Sequence, residues 1–268
     1  MNRKFLTSLL FTTLLITSCN GKTKTSEIGT AHRTEKTENV ENDIIRISYN
    51  QKINGYQVNV IWKPKTLRYD NAVGPAILEF SNGESEFTLT NNYFALPVKL
   101  FDLKTSENSI IGINKSQVSI DYNEPNIGND TFESIDVPFL FIDLNFDGNK
   151  EILLTKSGQG QSFGDSYDAY SFDNRELEPD LYQITNQSPF SEIDFFTRLD
   201  AENKELILYG SGGVCFGTAQ TYSLKNDRFE LTKIIRMERD DDAEKCYELI
   251  YTVENGIEKL VSKKEIEQ

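Results

Sequence analysis

Apolar and polar residues alternate with a period of two from residue 44 onward, as in the segments 43–50 and 54–62 around the tight turn QKING. Segment 76–90 places an Asn-Gly pair between two such runs, which is a strong signal for a β-hairpin. Further alternating runs with regular turn signals continue to the end of the chain, and no stripe of helical period accompanies them. The pattern predicts an all-β protein built from antiparallel strands.

An internal repeat lies within this pattern, because segment 141–178 can be laid over segment 196–231. Lys-Glu-Ile-Leu at 150–153 then falls on Lys-Glu-Leu-Ile at 204–207, and Tyr-Ser-Phe at 170–172 falls on Tyr-Ser-Leu. Each unit reads as loop, strand, Gly-rich turn, strand and hairpin. Such units in tandem predict β-propeller-like blades. The alternative is a chance likeness between amphipathic strands.

The first 43 residues have a different character. Arg3 and Lys4 precede an apolar run, and small residues then lead to Cys19, as in a secretory signal. The run is shorter than the roughly 20 apolar residues that a membrane span needs. Its ITSC ending is similar to the lipobox of bacterial lipoproteins, which implies a signal peptide at 1–18 and a lipid on Cys19. Residues 19–43 are mostly polar and predict a flexible tether.

These observations predict a lipid-anchored protein of the bacterial cell envelope, at the periplasmic face or the cell surface. The globular part then divides into an N-terminal β half at 44–135 and a C-terminal β half at 136–268 that holds the repeat. Contact with the membrane is expected through the lipid anchor only.

The chain is acidic, with 42 Asp and Glu against 28 Lys and Arg and a formal net charge of −14. Removal of residues 1–18 would take away two basic residues and no acidic one. This charge argues against nucleic acid and anionic lipid as partners and favours cations and basic proteins. The alternative is that the acidic charge only keeps the protein soluble and has no part in binding.

Two cysteines, Cys215 and Cys246, remain once Cys19 is assigned to the lipid. An even pair in an exported protein predicts a disulfide, and two buried free thiols are the alternative.

An acidic loop interrupts two strand-like apolar runs between Phe141 and Leu154. Its oxygen-bearing residues follow the spacing of a calcium loop, with Gly148 at the sharp turn. Oxygen donors without a nearby His or Cys select a hard cation, with Ca²⁺ ahead of Mg²⁺. We expect one calcium ion, and a metal-free Asx turn is the alternative. The predicted ligands are Asp143, Asn145, Asp147, Asn149 and Glu151.

Catalysis is poorly supported. The only histidine, His32, lies in the tether, which excludes Ser-His-Asp, Cys-His and His-ligated zinc chemistry. Paired carboxylates remain able to run glycoside hydrolysis, but no pair stands out. We therefore expect a protein that is not an enzyme.

The order of DLNFDG, SGQGQSFGDSYDAYSFD and TYSLKNDRFE in residues 136–250 resembles two families. The acidic loop is similar to the calcium loop of FG-GAP (VCBS-type) propeller blades. The whole segment resembles periplasmic immunity proteins, often lipoproteins, that are related to lysozyme inhibitors and act against lysozyme-like effectors of type IV secretion systems.

The second resemblance implies that a Gly-rich loop enters the cleft of a peptidoglycan hydrolase, and that the partner is a basic lysozyme-like enzyme. The first Gly-rich segment is the expected binding loop, while the second, at 209–220, is interpreted as a structural turn. The alternative is an envelope lipoprotein that binds glycan through aromatics such as Trp62 or Tyr170, or that binds other envelope proteins. The residues predicted to contact the hydrolase are Ser157, Gly158, Gly160, Ser162 and Tyr167.

Overall fold

The computed structural model describes residues 43–125, 127, 132, 137–156, 166–173, 180–185, 187–213, 215–240 and 245–266. The predicted signal peptide, Cys19 and nearly all of the tether lie outside these residues. Ser157, Gly158, Gly160 and Ser162 lie outside them as well.

Across the described residues the structure is all-β, with 67% of them in strands and almost none in helices. Within the described residues, the strands are β1 Ile45–Tyr49, β2 Gln57–Trp62, β3 Thr66–Arg68, β4 Asn71–Ser81, β5 Glu86–Pro97, β6 Leu103–Ser106, β7 Ser109–Ile113, β8 Gln117–Ile120, β9 Phe139–Ile142, β10 Glu151–Lys156, β11 Ser166–Asp173, β12 Asp180–Gln183, β13 Arg198–Asp200, β14 Glu205–Gly213, β15 Phe216–Lys225, β16 Arg228–Asp240, β17 Lys245–Glu254 and β18 Ile257–Ile266. Short 3₁₀ turns lie at Val98–Leu100 and Phe190–Glu192.

The first eight strands form one sheet in the order β6-β7-β3-β4-β2-β1-β8, with β5 also paired to β4. Its pairs are antiparallel except for β1 with β8. The register shifts between Gly74 and Ala76 in β4. A Cβ atom on Gly74 would lie 2.1 Å from the carbonyl oxygen of Lys63, so this close approach of two backbones requires glycine.

A second sheet, β12-β11-β10-β9, lies between two hydrophobic clusters. Ile152 and Leu154 of β10 pack into the cluster of the first sheet, while Leu153 packs into the other. Because both faces of β9 and β10 are covered, these strands are continuous apolar runs rather than alternating ones. The buried amide of Asn91 in β5 donates to the carbonyl of Thr155 at 2.9 Å and ties the first two sheets together.

The third sheet runs in chain order from β13 to β18, and Leu206 and Leu208 of β14 fill the second cluster. Its first strands repeat the second sheet in register. Ser171 donates to Glu151 at 3.1 Å, and Ser223 donates to Glu205 at 2.9 Å in the corresponding place. Both pairs join the start of one strand to the strand that follows it, so the sequence repeat corresponds to a structural repeat.

The all-β class and the antiparallel sheets are confirmed. A propeller of tandem blades is not confirmed, because the second repeat opens a six-stranded sheet rather than a four-stranded blade, and one sheet is curled into a half-barrel.

Candidate functional sites: the acidic loop and the Gly-rich hairpin

The acidic loop joins β9 to β10 and folds around its own side-chain oxygens. The Asp143 carboxylate accepts the backbone N–H groups of Asp147 at 3.2 Å and Gly148 at 3.0 Å. Asp147 accepts the N–H of Asn149 at 2.7 Å. Gly148 has φ +90°, the left-handed conformation that the sharp turn requires. Backbone amides therefore point inward at the carboxylates, as in an Asx-rich turn.

Glu151 closes the loop from the first position of β10. Its side chain is 1% exposed and accepts the N–H of Leu144 at 2.8 Å. The Asn145 amide donates to it at 3.0 Å. Burial raises the pKa of the Glu151 carboxyl to about 7, the charges of Asp147 and Asp143 add to this rise, and the hydrogen bonds from Leu144 and Ser171 oppose it.

Three carboxylates thus lie around one loop without a basic partner. Among the described residues, no lysine or arginine forms an ion pair with Asp143, Asp147 or Glu151. The neighbouring Lys150 pairs instead with Glu124 at 3.2 Å. This arrangement concentrates negative charge beside a buried carboxyl.

The potential ligand atoms of this loop are oxygens of carboxylates and amides, which are the ligands that hard cations prefer. Across the described residues, no three acidic, His or Cys side chains converge as a metal-holding group by themselves. The Asn145 amide nitrogen stands between Asp147 at 3.2 Å and Glu151 at 3.0 Å. A bound cation would therefore require this amide to present its oxygen instead.

The second repeat has a shorter turn at the same place. Glu151 pairs with Ile142 across β9 and β10, and Glu205 pairs with Asp200 across β13 and β14. Eight residues separate the first pair, 143–150, and four separate the second, 201–204. The acidic loop is thus an insertion specific to the first repeat.

The second Gly-rich segment forms the hairpin of β14 and β15, which we call the Gly-rich hairpin (209–217). Residues 209–213 are all exposed. Gly213 has φ +110°, and a Cβ atom on Gly210 would lie 2.9 Å from the Thr218 hydroxyl oxygen. The turn therefore needs glycine at position 213, and a side chain at position 210 would require the Thr218 hydroxyl to move.

A disulfide fixes this hairpin. Cys215 lies between β14 and β15 and is bonded to Cys246 of β17, with the Cα atoms 5.4 Å apart. The predicted pairing is confirmed, and both cysteines are buried. The bridge joins the end of the hairpin to a strand two positions further across the sheet, which restricts its movement.

An open groove of about 510 Å³, which we call the outer groove, lies beside the hairpin. It lies over two sets of cross-strand neighbours in the third sheet. One set contains Tyr209 and Ile235, and the other contains Gly217 and Met237. Three large side chains that line it are exposed, Tyr209 at 38%, Phe216 at 50% and Met237 at 44%. Clustered exposed apolar side chains are a common feature of interaction surfaces, so this groove is a candidate site.

The aromatic residues predicted from the sequence occupy other places. Tyr167 is 3% exposed, its ring packs edge-on against Phe132 at 5.8 Å, and its hydroxyl donates to the Phe132 carbonyl at 3.5 Å. We therefore do not place its side chain on a binding surface. Trp62 is fully buried against Phe94, and Tyr170 packs partly buried against the first core.

Sequence reasoning missed the outer groove, because it interpreted the second Gly-rich segment as a structural turn. The available signal was Tyr209 and Phe216, two large apolar residues that flank glycines next to a predicted disulfide cysteine. Their exposure depends on how far β14 and β15 extend beyond the core, which the alternation of residues does not show.

Comparisons with known proteins give a fold relationship. No protein-family model matches this chain, and no curated protein matches it. A solved structure described as a Xanthomonas type IV secretion system related protein is similar over 81% of this chain and 93% of its own length, with a TM-score of 0.51 and 18% identity. At this identity the likeness shows the fold alone. Within the described residues, no helix is long and apolar enough to cross a membrane.

Proposed function

We propose that this protein is a lipid-anchored envelope protein, not an enzyme, that binds and inhibits a lysozyme-like peptidoglycan hydrolase. The observation that carries the proposal is the outer groove beside the disulfide-fixed Gly-rich hairpin. Exposed aromatic side chains on a restrained hairpin, next to Met237 of β16, are suited to burial against a partner at low entropic cost.

The shape of the hairpin fits a cleft-bound partner. Its glycines carry no side chains, and two aromatic side chains are exposed, Phe216 beside the turn and Tyr209 opposite Ala219 further from the turn. A slim hairpin with apolar side chains can enter an enzyme cleft that a flat sheet face cannot. The first Gly-rich segment, with Ser157, Gly158, Gly160 and Ser162, follows the equivalent strand of the first repeat and stays part of the predicted contact surface.

Charge supports a basic partner. The formal net charge of −14 produces an attractive field for a basic protein and repels nucleic acid and anionic lipid. Lysozyme-type hydrolases are commonly basic, as the family resemblance implies. The structural neighbour is described as related to a type IV secretion system, which supports an envelope setting.

The acidic loop has a structural part in this proposal. One calcium ion held by Asp143, Asn145, Asp147, Asn149 and Glu151 would offset the charge around the buried carboxyl and fix the first turn of the repeat. Cys19 would carry the lipid, so that 19–43 tether the β part to the membrane.

The deciding experiment measures peptidoglycan lysis by a panel of lysozyme-type enzymes in the presence of the 20–268 chain and calcium. We expect stoichiometric inhibition of at least one basic enzyme. Phe216→Ala should weaken that inhibition at least tenfold, because it removes the most exposed aromatic side chain of the groove.

The matched control is Leu260→Ala, which alters an exposed apolar residue on β18 outside the outer groove. It should leave inhibition unchanged. Absence of inhibition across the panel, or equal inhibition by the wild type and Phe216→Ala, would contradict the proposal.

A further inference from the structure

A second groove lies where the acidic loop of the first repeat meets the turn between β15 and β16 of the second repeat. We call it the turn groove. It has a volume of about 570 Å³ and is lined by residues 145–147, Gln187, Ser188, Phe190, Lys204, Leu224 and 227–229. This volume falls within the range of about 300–1,000 Å³ that is usual for small-molecule sites. It shares no residue with the outer groove.

Aromatic rings line the turn groove. The ring centroids of Phe146 and Phe229 are 5.9 Å apart and tilted by 48°, and Phe229 meets Phe190 edge-on at 5.5 Å. Phe146 and Phe229 are each partly exposed. The groove therefore offers apolar ring surface to a ligand.

The backbone at Phe146 is strained. Its φ of +60° is in the left-handed region, which bulky residues rarely adopt and where Asn or Gly is favoured. The strained conformation places a large aromatic side chain, rather than a small turn residue, at the edge of the groove. Strain of this kind is typical of ligand sites.

Four charged side chains of both signs stand around these rings, Asp147, Lys204, Asp227 and Arg228. In the described part of the chain, none of the four forms an ion pair. Their formal charges cancel, although the whole chain carries −14. The Gln187 amide adds a neutral donor and acceptor, while the Asn145 amide already bonds within the acidic loop. The groove is thus polar and balanced, and it does not select a simple anion or cation.

We propose that the turn groove binds a neutral oligosaccharide. A pyranose ring has an apolar C–H face that packs on aromatic rings, and its hydroxyl groups bond to carboxylates, guanidinium groups and amides at the rim. The turn groove brings these partners together within one volume. This site goes beyond the proposed inhibition, since it would bind glycan in the absence of any hydrolase.

The test is calorimetric titration of the 20–268 chain with chitotetraose, a neutral oligomer of N-acetylglucosamine, in EGTA so that Asp147 is free of calcium. We expect a dissociation constant of about 1 mM or lower, which corresponds to about −4 kcal/mol. Arg228→Ala and Asp227→Asn should each weaken binding at least tenfold. Both residues are exposed, and Asn tolerates the φ of +60° at position 227, so both variants should fold.

The control is Lys225→Ala. Lys225 ends β15, next to the turn that lines the groove, but it does not line the groove itself, and it pairs with Glu230 at 3.9 Å on the surface. It should bind chitotetraose like the wild type. The proposal is overturned if the wild type does not bind, or if the two groove variants bind as tightly as the wild type. Phe216→Ala should retain chitotetraose binding, so failure of this proposal is distinguishable from failure of the inhibitor proposal.

Discussion

At the scale of single residues, the same side-chain type serves packing in one repeat and exposure in the other. Tyr167 follows the first Gly-rich segment and is 3% exposed, while Tyr209 opens the second and is 38% exposed. Trp62, which sequence alone allows as a glycan contact, is fully buried. Residue type and local pattern identify a candidate binding residue. Whether its side chain is buried or exposed depends on where its strand lies in the packed sheets.

Replacement of Tyr167 tests this difference. Tyr167→Ala should lower the free energy of unfolding by about 3–5 kcal/mol, because it empties a core position against Phe132. Tyr167→Phe keeps the ring and removes only the hydroxyl, so it should cost about 1 kcal/mol, much less than Tyr167→Ala. Tyr209→Ala, an exposed control, should change stability by about 0.5 kcal/mol or less. Urea denaturation measures all three, and an unchanged midpoint for Tyr167→Ala would contradict the core assignment.

At the scale of elements, the alternation of residues and the turn signals predict the strands well. The Asn-Gly hairpin forms between β4 and β5, and the two repeats share the register that pairs Glu151 with Ser171 and Glu205 with Ser223. The number of strands in each sheet was not predictable. The second repeat continues into β16, β17 and β18 because those strands pair onto its edge, and local alternation carries no information on where a sheet stops.

The candidate sites were predictable to different degrees, because sequence patterns report local structure and not the pairing of distant segments. The acidic loop is a local motif, so its spacing alone locates it between β9 and β10. The outer groove combines residues from β14, β15 and β16 and depends on their register. The turn groove combines loops from both repeats. Neither groove is visible in a stretch of sequence.

Calcium should stabilise the acidic loop. We expect the melting temperature of the 20–268 chain to rise by several degrees in 1 mM Ca²⁺ over EGTA, since a ligand that binds only the folded state adds stability. Asp143→Asn should largely remove the rise, because it takes a charged ligand from the loop. Asp200→Asn, in the short turn of the second repeat, should leave it intact. A wild type that does not respond to calcium, or an equal response in both variants, would contradict the calcium site.

At the scale of the whole molecule, the two proposed sites and the net charge would affect binding in different ways. The outer groove is apolar at its walls and carries no balanced set of charges, while the turn groove combines aromatic rings with charges that cancel. The remaining excess of acidic residues acts over longer distances than either groove. Long-range charge affects the rate of encounter, and the buried contacts of a groove affect the lifetime of the complex.

This division predicts how binding of the hydrolase depends on salt. With a formal net charge of −14, the association rate constant with a basic lysozyme-type enzyme should fall at least tenfold between about 20 mM and 300 mM NaCl, while the dissociation rate constant changes little. Phe216→Ala should raise the dissociation rate constant at every salt concentration and leave the salt dependence of association unchanged, because it removes apolar contact and no charge. Surface plasmon resonance across the salt series separates the two constants. An association rate that does not respond to salt would show that the acidic charge serves solubility and not recognition of the partner.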